Sequence, residues 1–326
     1  MKKVTIKDVA KESGVSISTV SQILNGKEAS FSPKTVKKVL EVKQQLNYQP
    51  DYFAQRMIMK KSKTIGVLVP DISDPFFAFL VKGIEDVLYR QNFMTMLCHT
   101  AHSYSNEVDP LVELSRRGVD GYIIASPDIA TDVLVDTMTT PFIVLDQKKH
   151  EGNSDAIMTD DYEGGSLAAS HLQQLNHKKV AVLLPDNPPT NIQQRYEGFV
   201  DCFGSSNIVR ISSELTKEGG QKGVPVILAS DVTGIFAIND EIAFGVYLGM
   251  MKRNKKIPAD YSVIGYDNID MCEIVTPQLT TIAQPTFELG QRTAEVLLHR
   301  IQEPERAKVI ETLPVHLVIR DSTAYA

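Results

Sequence analysis

A set of polar and aromatic side chains recurs just after short apolar runs: Asp71, then Asp74 with Phe76 and Phe77 around Pro75, Asp146, Asn239 with Asp240, Asp267 and Gln284. Arg195 opens a helical pattern just beyond the run LLPDNPPTNIQQ. Carboxylates, amides, a single Arg and paired aromatics suit a neutral polyol, because each hydroxyl both donates and accepts while ring C–H faces pack on phenyl rings. A phosphorylated ligand would call for more cations. Taken singly, each residue has a plainer reading: Asp74 as a helix cap, Phe76 and Phe77 as core, Asp267 as a turn residue. Their recurrence at one place in the pattern is what favours a site.

The elements that must position these side chains are short apolar strands alternating with amphipathic helices. TIGVLVPD, AFLVKGIEDVLYRQNF, FMTMLCH, VDPLVELSRRGVDGYIIASP and TPFIVLD form one series, and HKKVAVLLPD, GIFAINDEIAFGVYLGMMKRNKK, YSVIGYDN and LTTIAQP form a second. Such alternation predicts an α/β body of two doubly wound parallel-sheet lobes, with the candidate residues at the carboxyl ends of strands, where sheets of this kind bind ligands.

The first 63 residues have a different character. They carry 13 Lys and Arg against 5 Asp and Glu, a balance of +8, whereas residues 64–326 carry 21 against 35, a balance of −14. A basic segment on an acidic body points to a polyanion that meets the segment alone. Within it, TIKDVAKESGVSISTVSQILN reads as two short helices: Thr5 caps the first, with Asp8 in the capping-box position, Gly14 stops it, and Ser16 caps the second. Val20, Ile23 and Leu24 point to one side of the second helix, and Ser18, Ser21, Gln22 and Asn25 to the other. Ser32-Pro33 starts a third helix with Val36, Val39, Leu40 and Leu46 as its apolar stripe. Three helices in this arrangement make a helix-turn-helix unit whose second helix enters the major groove of DNA. Gln22 can bond adenine in a bidentate way and Ser18 can serve several bases. Ile17 lies at the edge of the apolar stripe, placed equally well to touch a thymine methyl or to join the core.

Other functions find little support. The chain has no GxSxG, GxGxxG, P-loop or HExxH pattern, its seven histidines are scattered, and His99 with His102 lacks a third ligand type nearby, so neither catalysis nor a metal site is expected. The tandem Asp160-Asp161 precedes a helical pattern and reads as capping. Cys98, Cys202 and Cys272 are odd in number and widely spaced, which argues against a disulfide framework. No apolar run reaches the length of a bilayer span, and MKKVTIKDVAKE turns charged instead of entering a signal-peptide core, so a cytoplasmic protein is expected.

The stretch TIKDVAKESGVSISTVSQILN, followed by SPKTVKKVLEVKQQLNYQPDYFAQRM, resembles the DNA-binding headpiece of the lactose-repressor (LacI/GalR) family. The resemblance implies base-edge roles for Ile17, Ser18 and Gln22, and backbone or nearby contacts for Thr5, Ser16, Thr19, Ser21 and Asn25. It also implies a hinge in which Ala54 and Met57 meet the minor groove, Met57 standing where the family has leucine and Gln55 where it has arginine. The body resembles the family's periplasmic-binding-protein-like regulatory domain. More narrowly, SDPFF, VLD, QRYEGF, INDE, IGYDN and TIAQP resemble the binding set of ribose-specific binding proteins and ribose operon repressors. That likeness implies Asp74, Phe76, Phe77, Asp146, Gln147, Arg195, Asn239, Asp267 and Gln284 around a pentose, with Gln147 in place of the usual arginine.

The organisation so implied is a headpiece over 1–50, a hinge and linker over 51–63, and a sugar-binding and dimerising body over 64–326. Its lobes run over about 64–160 and 161–284, and the C-terminal segment completes both. The implied activity is that of a repressor of a ribose operon, with no cofactor, acting as a homodimer on near-palindromic operator DNA and released when sugar binds between the lobes. Repressors of other sugars, such as sucrose, and purine-type regulators whose ligand is a corepressor share much of this pattern.

Overall fold

Thr5 starts helix α1 (Ile6–Ser13), and the Asp8 carboxylate accepts from its backbone N–H at 2.8 Å and its hydroxyl at 2.7 Å. The helix stops at Gly14, whose φ of 68° is the left-handed conformation that a residue without Cβ adopts freely. The Ser16 hydroxyl then accepts from Thr19 N–H at 3.0 Å to cap α2 (Ile17–Leu24). Ser32 does the same for Thr35 N–H at 3.2 Å, with Pro33 as first residue of α3 (Pro33–Gln45). Val9, Ala10, Val20, Ile23, Val39, Val42 and Tyr48 close a small core between the three helices.

This computed structural model describes residues 4–49, 61–100, 104–125, 139–145 and 155–326, which fall into two units, Met1–Ser62 and Lys63–Ala326. Among the described residues no helix is long and apolar enough to cross a membrane.

The larger unit holds two six-stranded sheets. The first is ordered β11-β5-β4-β3-β1-β2, from β1 (Thr64–Val69), β2 (Met94–His99), β3 (Gly121–Ile124), β4 (Phe142–Leu145), β5 (Asp155–Thr159) and β11 (Ile310–Leu313), all parallel. The second is ordered β12-β10-β9-β8-β6-β7, from β6 (Val180–Leu184), β7 (Ile208–Ser212), β8 (Gly234–Ala237), β9 (Ser262–Asp267), β10 (Thr280–Ala283) and β12 (His316–Val318). Here only β12 runs antiparallel, beside β10.

Helices α4 (Pro75–Arg90) and α5 (Tyr104–Arg116) belong to the first lobe. The second is covered by α6 (Asp161–Gln174), α7 (Thr190–Phe203), α8 (Lys217–Leu228), α9 (Asp240–Met251) and the single turn α10 (Met271–Ile274). After β10 the chain returns to the first lobe, where α11 (Thr286–Gln302) packs against α4, and it recrosses between β11 and β12. In each sheet the strand order reverses beside the opening strand, between β1 and β3 and between β6 and β8. These are the switch points outside whose carboxyl ends such sheets hold ligands.

Candidate effector site and DNA-reading face

Close approach of α6 and α7 sets the geometry at the crossing between lobes. A Cβ on Gly165 of α6 would lie 1.9 Å from the Arg195 carbonyl oxygen, and one on Gly198 of α7 would lie 1.9 Å from that of Tyr162. Only glycine lets the two backbones meet this way. Their contact brings Arg195, 3% exposed, against Asp161 in the first turn of α6.

Arg195 Nε donates to Asp161 Oδ1 at 2.7 Å and Nη1 to the Ile238 carbonyl at 3.0 Å, while Nη1 stands 3.6 Å from Asp267 Oδ1. The guanidinium carbon lies 3.7 Å from the centre of the Tyr266 ring, and the Tyr266 hydroxyl donates to Asp161 Oδ1 at 3.2 Å. Gln284 extends the network: its Nε2 donates to Asp267 Oδ1 at 2.6 Å, and its Oε1 accepts from Thr159 Oγ1 at 2.9 Å. Residues from β5, α6, α7, β9 and the end of β10 therefore form one connected polar cluster.

Burial pushes both Asp161 and Asp267 above the ordinary carboxylate range, and Arg195 opposes this in each case. For Arg195 burial acts to lower the pKa, but Asp161, Tyr266 and Asp267 outweigh it, so the guanidinium stays cationic. Burial, followed by the nearby Asp161 carboxylate, holds the Tyr266 phenol well above its usual value, which keeps its proton in place as a donor. Among the described residues, neither Arg195 Nη2 nor Asp267 Oδ2 makes a hydrogen bond. A fixed cationic donor and a carboxylate acceptor thus stand open among the described residues, a pair whose chemistry matches a hydroxylated ligand.

The remaining sequence candidates divide. Asp74 caps α4, its Oδ1 accepting from Phe76 N–H at 2.9 Å, so its plainer reading is correct as far as it goes. It also faces Glu241 and Lys217 from the other lobe, and burial raises its pKa from 3.8 to about 6, with Phe76 N–H opposing, Glu241 and Asp71 adding and Lys217 opposing. Phe76 and Phe77 meet edge to face at 5.1 Å and 84°, half-buried at the margin of the first lobe's core. Asn239 caps α9, accepting from Ile242 N–H at 2.9 Å, and its Nδ2 reaches the Leu215 carbonyl at 3.4 Å. Asp146 and Gln147 lie outside the described residues, as do Ala54 and Met57 of the hinge.

Asp161, Tyr266 and Thr159 were not among the sequence candidates. The available signal was the tandem Asp160-Asp161, read as capping throughout. Asp160 does cap, accepting from Glu163 N–H at 3.1 Å, whereas Asp161 turns inward to Arg195.

The raised pKa of Asp74 has a testable sign. The folded chain holds the Asp74 proton more tightly than the unfolded chain does, so the contribution to stability is greatest in acid and is lost as pH rises through about 6. Asp74→Asn keeps a capping side chain and removes that titration. Thermal melts at pH 5, 6 and 7 are expected to show the wild type gaining on the variant as pH falls. A difference that stays constant over this range would show that Asp74 does not titrate at about 6 in the folded chain.

In the smaller unit Val20 and Ile23 of α2 are buried, while Ile17, 44% exposed, Ser18, Gln22 and Asn25 face outward. Ile17 thus stands outside the core. Gln22 Nε2 approaches Ser18 Oγ at 3.3 Å and Asn25 Nδ2 approaches Ser21 Oγ at 3.4 Å. Ser16 and Thr19 are joined through their hydroxyls at 2.9 Å, at the end of the helix where the N–H groups point outward. Thr5 is exposed at the start of α1.

Residues 5–51 match the model of bacterial regulatory proteins of the lacI family, and residues 169–323 match that of a periplasmic binding protein-like domain. The PurR transcriptional repressor of Vibrio vulnificus is 32% identical over 98% of this chain and 98% of its own length. The chain belongs to the LacI family. It is a DNA-binding transcriptional repressor, and its relatives are repressors, not enzymes. Among solved structures, a LacI-family regulator from Enterococcus faecalis with bound ribose is 55% identical, covering 81% of this chain and 99% of that one with a TM-score of 0.77. The lac repressor dimer bound to operator is 26% identical, covering 99% and 100% respectively with a TM-score of 0.88.

Proposed function

We propose that this LacI-family repressor responds to ribose, which binds among Arg195, Asp267, Gln284, Asp74 and the Phe76–Phe77 pair, with Asp146 and Gln147 completing the set. The observation that carries the reading is the buried Arg195–Asp267–Gln284 network, which among the described residues leaves one fixed donor and one acceptor open. The ribose-bound E. faecalis regulator, at 55% identity, supports the choice of sugar. No cofactor takes part. The protein works in the cytoplasm as a homodimer on a near-palindromic operator, one headpiece per half-site, with the hinge residues Ala54 and Met57 at the central minor groove. Sugar favours one arrangement of the lobes and lowers operator affinity, a coupling of about 1–3 kcal/mol or roughly 5–150-fold.

A second reading, a purine acting as corepressor, is favoured by the full-length likeness to PurR at 32% identity. Titrating the purified protein with ribose, sucrose, fructose and a purine, by calorimetry and by release of an operator-like duplex, separates the two. Ribose alone is expected to bind and to weaken the DNA complex. Purine binding that tightens the complex would overturn the pentose reading and the sign of coupling together.

A further inference from the structure

Behind the effector site, on the far side of the turn that follows β9, lies a carboxylate that takes no part in the Arg195 network. Asp240, the first residue of α9, is 0% exposed. Its Oδ1 accepts from Thr281 Oγ1 at 2.7 Å, and its Oδ2 accepts from Ile269 N–H at 3.0 Å and from Cys272 Sγ at 3.1 Å. All of these partners are donors, so this place calls for a group that only accepts. The carboxylate lies directly over β9: a Cβ on Gly265 would fall 2.1 Å from Asp240 Oδ1. Glycine in the stretch IGYDN is therefore explained by the space Asp240 occupies.

The turn it grips is strained. Asp267 has φ 116° and Asn268 φ 59°, two consecutive residues with side chains in the region that favours glycine. Such a conformation persists only where its surroundings hold it. Arg320 Nη2 holds the Asn268 side chain from outside at 2.8 Å, and Asp240 holds the Ile269 backbone from inside. Asp267 is the residue whose carboxylate meets Arg195 and Gln284.

We infer that Asp240 is a positioning residue for the effector site: by clamping the turn at Ile269 against β10 it aims the Asp267 carboxylate at the ligand. The inference deepens the ribose reading and rests on it for the identity of the ligand, though not for the geometry. Asp240→Asn conserves size but sets an amide N–H₂ among donors, so one contact is lost and one donor is opposed. Ribose affinity of the full-length variant is expected to fall about tenfold or more, while operator binding without sugar stays as in the wild type. A crystal structure of the variant is expected to show the Asp267 carboxylate out of hydrogen-bond reach of Gln284. Thr281→Val, which removes one donor to Asp240 and leaves the turn's own atoms intact, produces the same split in smaller measure.

A merely structural role would lower the melting temperature and weaken sugar and operator binding together. That result, or a variant crystal structure in which Asp267 keeps its positive φ and its bond to Gln284, overturns the inference. Should Asp240→Asn not fold, Thr281→Val is judged on the same readouts. If the wild type takes no ribose, the pentose reading falls, and the position of Asp267 in the variant crystal structure alone decides whether Asp240 is its clamp.

Discussion

Arg195→Ala is expected to abolish the effector response while leaving operator binding in the absence of sugar intact. The guanidinium is the cation held between Asp161 and Asp267, and all three groups are buried. Removing it takes away the fixed donor proposed for the ligand and strands two carboxylates whose ion-pair partner among the described residues is Arg195. Breaking a buried pair by removing one partner costs about 3–5 kcal/mol, because the charge left behind has lost both water and partner. Denaturant unfolding near neutral pH should register that loss, and the loss should shrink on acidification as the stranded carboxylates take up protons. Arg195→Lys is the informative companion. It keeps the charge but not the planar fork that reaches Asp161, the Ile238 carbonyl and Asp267 at once, so it should recover part of the stability and little of the sugar response. The headpiece closes its own core from Val9, Val20, Ile23 and Val39, which is why operator binding should survive either change. A normal sugar response in Arg195→Ala would show that the ligand binds elsewhere.

The fold was legible wherever one residue type has few conformational choices. Gly14 and Ser16 mark the turn of the headpiece because only glycine accepts the left-handed C-cap cheaply and a hydroxyl is needed for the exposed N–H groups behind it. Continuous apolar runs such as Val180–Leu184 betray strands covered on both faces. The polar cluster of the candidate site was legible at Arg195, Asp267 and Gln284 because each follows or faces such a strand. Asp161 was not, since a pair of acidic residues before a helix has the same local signature whether both cap it or one turns inward. The choice is made by Arg195, 34 residues further along the chain, and by the glycine contact that brings α7 there. Asp240 stands with Asn239 in the polar set that the sequence marks, but its inward role was not legible there: its donors come from Ile269, Cys272 and Thr281, and no local pattern links them to the INDE motif.

Gln22→Ala should change which operator the protein prefers without changing how tightly it holds DNA in general. Gln22 lies on the outward face of α2, with its amide 3.3 Å from the Ser18 hydroxyl, and its neighbours Val20 and Ile23 close the core from the opposite side. Truncation therefore leaves the helix and its packing alone, and stability should move by no more than about 0.5 kcal/mol. A bidentate amide on a base edge is worth about 1–3 kcal/mol of discrimination against the wrong base, so one position of each half-site should lose about that much preference. Nonspecific affinity and its slope against salt should hold, because both follow from phosphates neutralised by Lys and Arg, and Gln22 carries no charge. Binding to a panel of duplexes varied one base pair at a time, at fixed salt, reads both quantities. Loss spread evenly over the panel would assign Gln22 to the backbone, and an unchanged profile would remove it from recognition. Ile17→Ala in the same panel then separates the two ways of reading a base. An apolar contact with a thymine methyl is felt at one position and leaves the hydrogen-bond pattern of the others untouched.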